Sequence, residues 1–147
     1  MDYGALATGL ASSIPFVRKV GITFVELGPD GATALLPDDP EIGNHVGSQH
    51  AGGLFTLAET ASGGAFVGSF AELLGEITPL AKGASIQYLK LAKGPIEAKA
   101  SVPDPEGLKE KLANEGKIEF QVSVSMTDAE GLEVATAVVD WYVRRNS

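Results

Sequence analysis

Between Ile42 and Ala71 the chain carries thirty residues but only one formally charged side chain, Glu59. A segment this apolar cannot lie along a protein surface for its whole length, so the rest of the chain must wrap it. It is nearly long enough to cross a membrane, yet its many glycines and its carboxylate favour a helix buried in a globular core. Stranding an ionised carboxylate in such a helix costs several kcal/mol unless hydrogen bonds or charges compensate it. Unpaired buried acids are rare, and those that persist are often there for chemistry. Just upstream lie Asn44, His45, Gly47 and His50, followed by a small-residue helix start at Ala51, Gly52 and Gly53. A lone acid, polar groups and a turn rich in backbone donors mark a candidate site. An acid on an exposed helix face is the competing reading of Glu59 taken alone.

The remaining elements read as the wrapping. Leu6, Leu10 and Ile14 recur at fourfold spacing and predict a helix over residues 3–13, ended by Pro15. Residues 20–27 (VGITFVEL) and 32–36 (ATALL) are rich in strand formers, and the turn at 28–31 makes them a hairpin. Residues 37–53 form a long loop, of the length that usually carries function. The long helix runs from Gly53 to about Leu74, with Gly63 and Gly64 allowing another backbone to approach. Strands follow over residues 84–91 and 96–102, then a short helix from Asp104-Pro105 to near Gly116. Ile118, Phe120, Val122, Val124 and Met126 alternate with polar residues as a half-buried strand, joined by a turn at 127–131 to a last strand over 132–143. The sum is an α+β chain whose antiparallel sheet needs one face covered, and the uncharged helix is the only element apolar enough to cover it.

At 147 residues this is one domain, spanning 1–147, and its composition of 44% hydrophobic and 20% charged residues is that of a folded soluble protein. A net charge of −8 argues against a nucleic-acid surface, while leaving room for a small anionic ligand held by a local basic patch. The absence of cysteine removes disulfides, thiolate nucleophiles and thiolate metal sites, and fits a reducing compartment. The N-terminal residues lack the basic region of a signal peptide, so a cytoplasmic location is expected. His45 and His50 have no recognisable ligand spacing with Asp38, Asp39 or Glu41, so no metal site is expected. G-x-S-x-G is also missing, which removes the serine-hydrolase elbow.

The loop–helix junction makes a family comparison specific. Asn44-x-x-Gly47-x-x-His50-Ala51-Gly52, followed by Leu57-Ala58-Glu59, resembles the N-x-x-G-x-x-H-G-G…L-A-[DE] signature of PaaI-like acyl-CoA thioesterases. The spacings match, with six residues from Asn44 to His50 and nine more to Glu59. Ala51 replaces the first glycine of H-G-G, and the acid is Glu where many relatives have Asp, so the chain looks like a divergent branch. The resemblance implies the hotdog fold, an antiparallel sheet wrapped around one long central helix. It implies hydrolysis of acyl-CoA or acyl-carrier thioesters without a cofactor. By motif position, Asn44 orients water or the thioester, His50 supports the loop and the carbonyl, the Ala51 N–H forms the oxyanion hole, and Glu59 is base or nucleophile. Replacing the glycine by alanine is harmless there if the native φ is negative.

Glu59 lies eight residues after Ala51, roughly 12 Å along a helix at about 1.5 Å per residue. Its side chain cannot span that gap, so either the acid serves another purpose or a second helix running the other way brings its own Glu59 to this helix tip. A twofold dimer with two composite sites is therefore expected, alone or within a tetramer. Leu54, Phe55, Leu57 and Phe66 are expected around the carboxylate, raising its pKa, with Thr56, Thr60 or Thr78 as hydrogen-bond donors to it. Gly52, Thr60, Thr78, Lys82 and Lys90 are the expected substrate contacts, with Lys93, Arg144 and Arg145 completing a basic rim for the phosphates of coenzyme A. Tyr88 and Trp141 read as core or interface aromatics rather than as walls of an acyl pocket.

Two other functions compete. Hotdog dehydratases pair a loop histidine with a helix acid fourteen residues later, and His45 stands at that distance from Glu59. The H-F-P…P-G-V run of those enzymes is missing, which favours the thioesterase. A module that binds acyl-CoA without turning it over is the non-catalytic alternative.

Overall fold

Strand alternation and one continuous apolar helix decide the architecture. The computed structural model describes all of residues 1–147. Two short helices, α1 (Tyr3–Ser13) and α2 (Pro15–Val20), precede the hairpin of β1 (Thr23–Gly28) and β2 (Gly31–Leu36). The loop then leads into the long helix α3 (Ala51–Ser69), and a 3-10 turn over Ala71–Glu76 leads into β3 (Ile77–Tyr88). After β4 (Ile96–Ala100) comes α4 (Pro105–Glu115), and β5 (Lys117–Thr127) and β6 (Glu133–Arg145) finish the chain. The six strands form one sheet in the order β1-β2-β4-β5-β6-β3, with every neighbouring pair antiparallel. This is the hotdog fold, with α3 as the filling.

In β5 the residues Ile118, Phe120, Val122, Val124 and Met126 are buried, while Glu119, Gln121 and Ser123 face outward. β6 answers with Ala135, Ala137, Val139, Trp141 and Val143 on the same inner face. Each large side chain fully buried there contributes about 1.5–3 kcal/mol. Across from them α3 buries Leu54, Leu57, Ala58, Ala61, Ala65 and Phe66. The sequence-predicted span of α3 needs a correction at its end, because the helix stops at Ser69 and residues up to Glu76 tighten into the 3-10 turn.

Three further differences have physical causes. Pro15 does not simply end α1: it occupies the first position of a new helix, where its missing N–H is no loss. β3 begins at Ile77 rather than Ala84, despite Pro79, because β3 is an edge strand whose outer N–H groups need no ladder partner. The close backbone approach also falls elsewhere than at Gly63 and Gly64. A Cβ at Gly64 would lie 2.4 Å from the Phe24 ring, one at Gly68 would lie 2.0 Å from the Gly28 carbonyl oxygen, and one at Gly63 would meet only Trp141 at 4.0 Å. Gly68→Ala therefore drives a methyl into fixed backbone and should destabilise by at least about 1–3 kcal/mol. Gly63→Ala should be neutral or stabilising, by up to about 1 kcal/mol from helix propensity. Thermal melts of the two variants, which differ by one methyl each from the parent, check the contrast.

Candidate active site

The loop before α3 is built around Asn44. Its Nδ2 donates to Ser48 Oγ (2.8 Å) and the Gln49 carbonyl (3.3 Å), and its Oδ1 accepts from the Val46 and Ser48 N–H groups (3.1 and 2.9 Å). All four hydrogen-bonding positions of the amide are thus spent inside the turn. Gly47 completes that turn at φ 77°, a conformation that disfavours other residues. Gln49, which sequence reasoning passed over, is buried and clamps the loop to its surroundings. Its Nε2 donates to the Pro37 and Gly94 carbonyls (2.9 and 2.8 Å), and its own N–H donates to Ala92 (2.8 Å). Nothing in the sequence distinguishes this glutamine from a surface one.

His50 is the N-cap of α3, and its Nδ1 accepts from the Gly52 N–H at 2.8 Å. A nitrogen that accepts carries no proton, so the neutral ring is protonated on Nε2, leaving a donor at the helix tip. Gly52 is thereby occupied, but the N–H groups of Ala51 and Gly53 donate to no acceptor in the chain. They are the orphan donors of a helix N-terminus, where the macrodipole also favours negative charge. Ala51 lies within the helix, and the only positive-φ residue other than glycine is Asp104, so the alanine is unstrained at this position. Tyr88 at the end of β3 reaches the same tip, its hydroxyl donating to the Ala51 carbonyl at 3.2 Å. His45 stands exposed on the Asn44–Ser48 turn and takes no part in the cap.

Glu59 is on the one stripe of α3 that the sheet leaves open, with Gly52, Phe55, Thr56 and Gly63. It is exposed in the single chain. The threonines expected to hold it do not. Thr56 and Thr60 donate back to the helix carbonyls of Gly52 and Thr56 (2.8 and 2.6 Å), and Thr78 donates to Asn146 (2.6 Å). Leu54 and Leu57 face the core rather than the acid. Instead Glu59 lines a cavity of about 470 Å³ walled by Leu10, Ile14 and Phe16 from the N-terminal helices, Phe55 and Phe66 of α3, and Trp141. The N-terminal contribution has no sequence signal beyond the apolar face of α1. Trp141 is 9% exposed, and its Nε1 is the one buried side-chain polar atom with no hydrogen-bond partner. Leaving such a donor unmade costs about 1–3 kcal/mol.

The basic rim is not one cluster. Lys90 and Lys93 lie beyond Tyr88, beside the His50 loop, and neither is ion-paired. Thr78, Arg144 and Arg145 lie at the opposite end of β3, about 33 Å away at about 3.3 Å per residue. Lys82, in mid-strand, is paired with Glu119, whose hydrogen bond holds the ammonium above the usual lysine range. Lys82 and Thr78 thus lie away from the helix tip of their own subunit. No three His, Asp or Glu side chains converge to hold a metal ion. No helix is long and apolar enough to cross a membrane.

The family described as Domain of unknown function (DUF4442) matches residues 4–143. No curated protein matches the chain. Among solved structures it is similar to the Pseudomonas aeruginosa protein PA5026, called a probable thioesterase, at 27% identity and a TM-score of 0.90, over 99% of this chain and 97% of that one. OLEI01261 of Chlorobaculum tepidum has the same fold at 16% identity and a TM-score of 0.85, over 98% and 94% of the two chains. So does the E. coli PaaI protein of the phenylacetic acid degradation operon, at 17% identity and a TM-score of 0.69, over 95% and 97%. The likeness to hotdog thioesterases expected from the loop–helix motif is thus present across the whole chain.

Proposed function

We propose that this chain, which belongs to the DUF4442 family, hydrolyses acyl-CoA or acyl-carrier thioesters at a site shared between two subunits. The observation that carries the reading is the pair of free N–H groups at Ala51 and Gly53, on the same helix as an exposed carboxylate eight residues further on. At about 1.5 Å per residue the two lie roughly 12 Å apart, so one chain cannot apply both to one carbonyl. A second α3 running the other way can.

The edge of the sheet supports such a partner. β3 is a twelve-residue edge strand with one charge, Lys82, and it exposes Leu80 and Tyr88. Long, nearly uncharged edges are normally blunted unless they are paired. The exposed stripe of α3 adjoins the same edge, with Phe55 beside Glu59. Two copies joined through this face form a self-complementary interface.

In the composite site, the thioester carbonyl points at the Ala51 N–H, with His50 Nε2 as a second donor. Glu59 of the other subunit delivers the nucleophile, either its own oxygen or that of a water whose proton it takes. The carbonyl oxygen becomes an oxyanion held by the helix-tip donors, the carbon–sulfur bond breaks, and the departing thiolate takes the proton that Glu59 removed from water. Where Glu59 itself attacks, the thiolate is protonated by solvent, and water then hydrolyses the acyl-Glu59 anhydride to the free acid and the carboxylate. Asn44 acts through the loop, fixing His50 and the helix start, rather than on the substrate. Lys90 and Lys93 flank the entrance, where phosphates of coenzyme A would lie.

Steady release of free thiol from a panel of acyl-CoA thioesters tests the reading. The expected result is turnover of at least one class well above the buffer rate. Saturable binding with no thiol released would leave an acyl-CoA-binding module and remove the hydrolase.

A further inference from the structure

Gly63 is a glycine that the packing of the chain does not require. Inside a helix glycine is less stable than alanine, because it has more backbone freedom to lose. Its two neighbours in α3 have a packing reason, since a Cβ on Gly64 or Gly68 would collide with the Phe24 ring or the Gly28 carbonyl. A Cβ on Gly63 would meet only Trp141 Cζ2 within 4 Å, at the ordinary contact distance of 4.0 Å. What borders Gly63 instead is the cavity that Glu59 also lines. Along α3 that cavity follows one row, Glu59, Gly63 and Val67, each about 6 Å beyond the last. Leu10, Ile14 and Phe16 of the N-terminal segment line its other side. These walls can be reached by a ligand: Ile14 is 39% and Phe16 64% exposed, and Gly63 is half-buried. The nearby hydroxyls of Thr56 and Thr60 are committed to helix carbonyls. The groove is therefore charged at Glu59 and apolar beyond it, the same polarity as an acyl group with its reacting carbon at one end.

Resting on the thioesterase reading, we propose that Gly63 determines acyl specificity through its missing side chain. The carbonyl is held between Glu59 and the other subunit's helix tip, and the acyl group crosses the bare backbone of Gly63 to end against Leu10, Ile14 and Phe16. The favoured substrates are thioesters of unsubstituted hydrocarbon acyl groups of medium length, which a volume of about 470 Å³ accommodates. Short acyl groups leave the far walls uncovered and gain less from burial. A side chain at position 63 would block the groove one helical turn beyond Glu59 and leave room for short acyl groups alone.

S-octyl-pantetheine and S-ethyl-pantetheine keep the arm common to coenzyme A and acyl carriers, and as thioethers they cannot be hydrolysed. In calorimetric titrations of the full-length protein, the octyl compound should bind at least about tenfold more tightly than the ethyl one. Gly63→Ala should narrow that ratio severalfold while melting no lower than the parent, so that a folding defect cannot account for the change. Gly63→Leu should bring the ratio to about one, as an obstructed apolar pocket implies, with binding of the ethyl compound and the assembly mass unchanged. An octyl preference that survives Gly63→Leu, an equal loss of both ligands in Gly63→Ala, or a parent protein that binds the two alike or binds neither would each overturn the proposal. Loss of the dimer in Gly63→Ala would also overturn it, by assigning the glycine to the contact between subunits. Octyl preference as expected, but no thiol released from octanoyl-pantetheine, would instead remove the hydrolase and leave the acyl groove standing.

Discussion

Ala51→Pro should lower kcat for thioester hydrolysis by about 10²- to 10³-fold, the usual consequence of deleting one oxyanion donor, with the fold and melting temperature unchanged. The substitution deletes a single N–H and little else. Ala51 is the first residue of α3, the helical position where proline is best tolerated. The residue before a proline must be extended, and His50 already sits at φ −68°, ψ 141°. The Ala51 N–H donates to nothing within the chain, so no internal hydrogen bond is lost. Ala51→Gly is the control, since it keeps the donor and should keep the rate. A fully active Ala51→Pro protein would move the oxyanion to some other group.

Glu59→Gln should be the second large effect, lowering kcat by about 10²- to 10⁴-fold if the carboxylate acts as base. The amide is nearly isosteric but cannot take a proton at neutral pH. Glu59 is exposed in the single chain and accepts no hydrogen bond there, so the stability of the subunit should shift by no more than about 0.5 kcal/mol. A rate loss with an unchanged melt separates a chemical role from a structural one. Retained turnover in Glu59→Gln would return the residue to the ordinary status of a solvated surface acid.

The wrapping was legible wherever periodicity was clean. The alternation in β5 and β6 fixes both strands and the face they bury, and Asp104-Pro105 and Gly116 bracket α4 as their chemistry requires. Proline misled twice, in α2 and β3, because its effect depends on whether the lost N–H had a partner, and that is a fact of topology. Within the site, motif spacing led to the His50 cap and the helix tip. It could not show that Asn44 is consumed by its own turn, nor that Thr56 and Thr60 bond back to the helix. Hydroxyls and amides have several competing acceptors, and packing alone chooses among them. Trp141 illustrates the same limit from the other side: only its neighbours on β3, β5 and α3 reveal that its N–H is left over.

That the acid and the donors belong to different subunits is tested most directly by mixing. Ala51→Pro and Glu59→Gln chains are each expected to be nearly inactive as pure assemblies. Unfolded together and refolded at equal concentrations, half of the dimers carry one chain of each kind, and in each of these one of the two sites has both groups intact. Activity should therefore recover to about a quarter of the parent protein's value by this twofold count. A mixture that stays at the level of the two separate variants, although exchange of subunits is demonstrated by mass, would contradict the shared site.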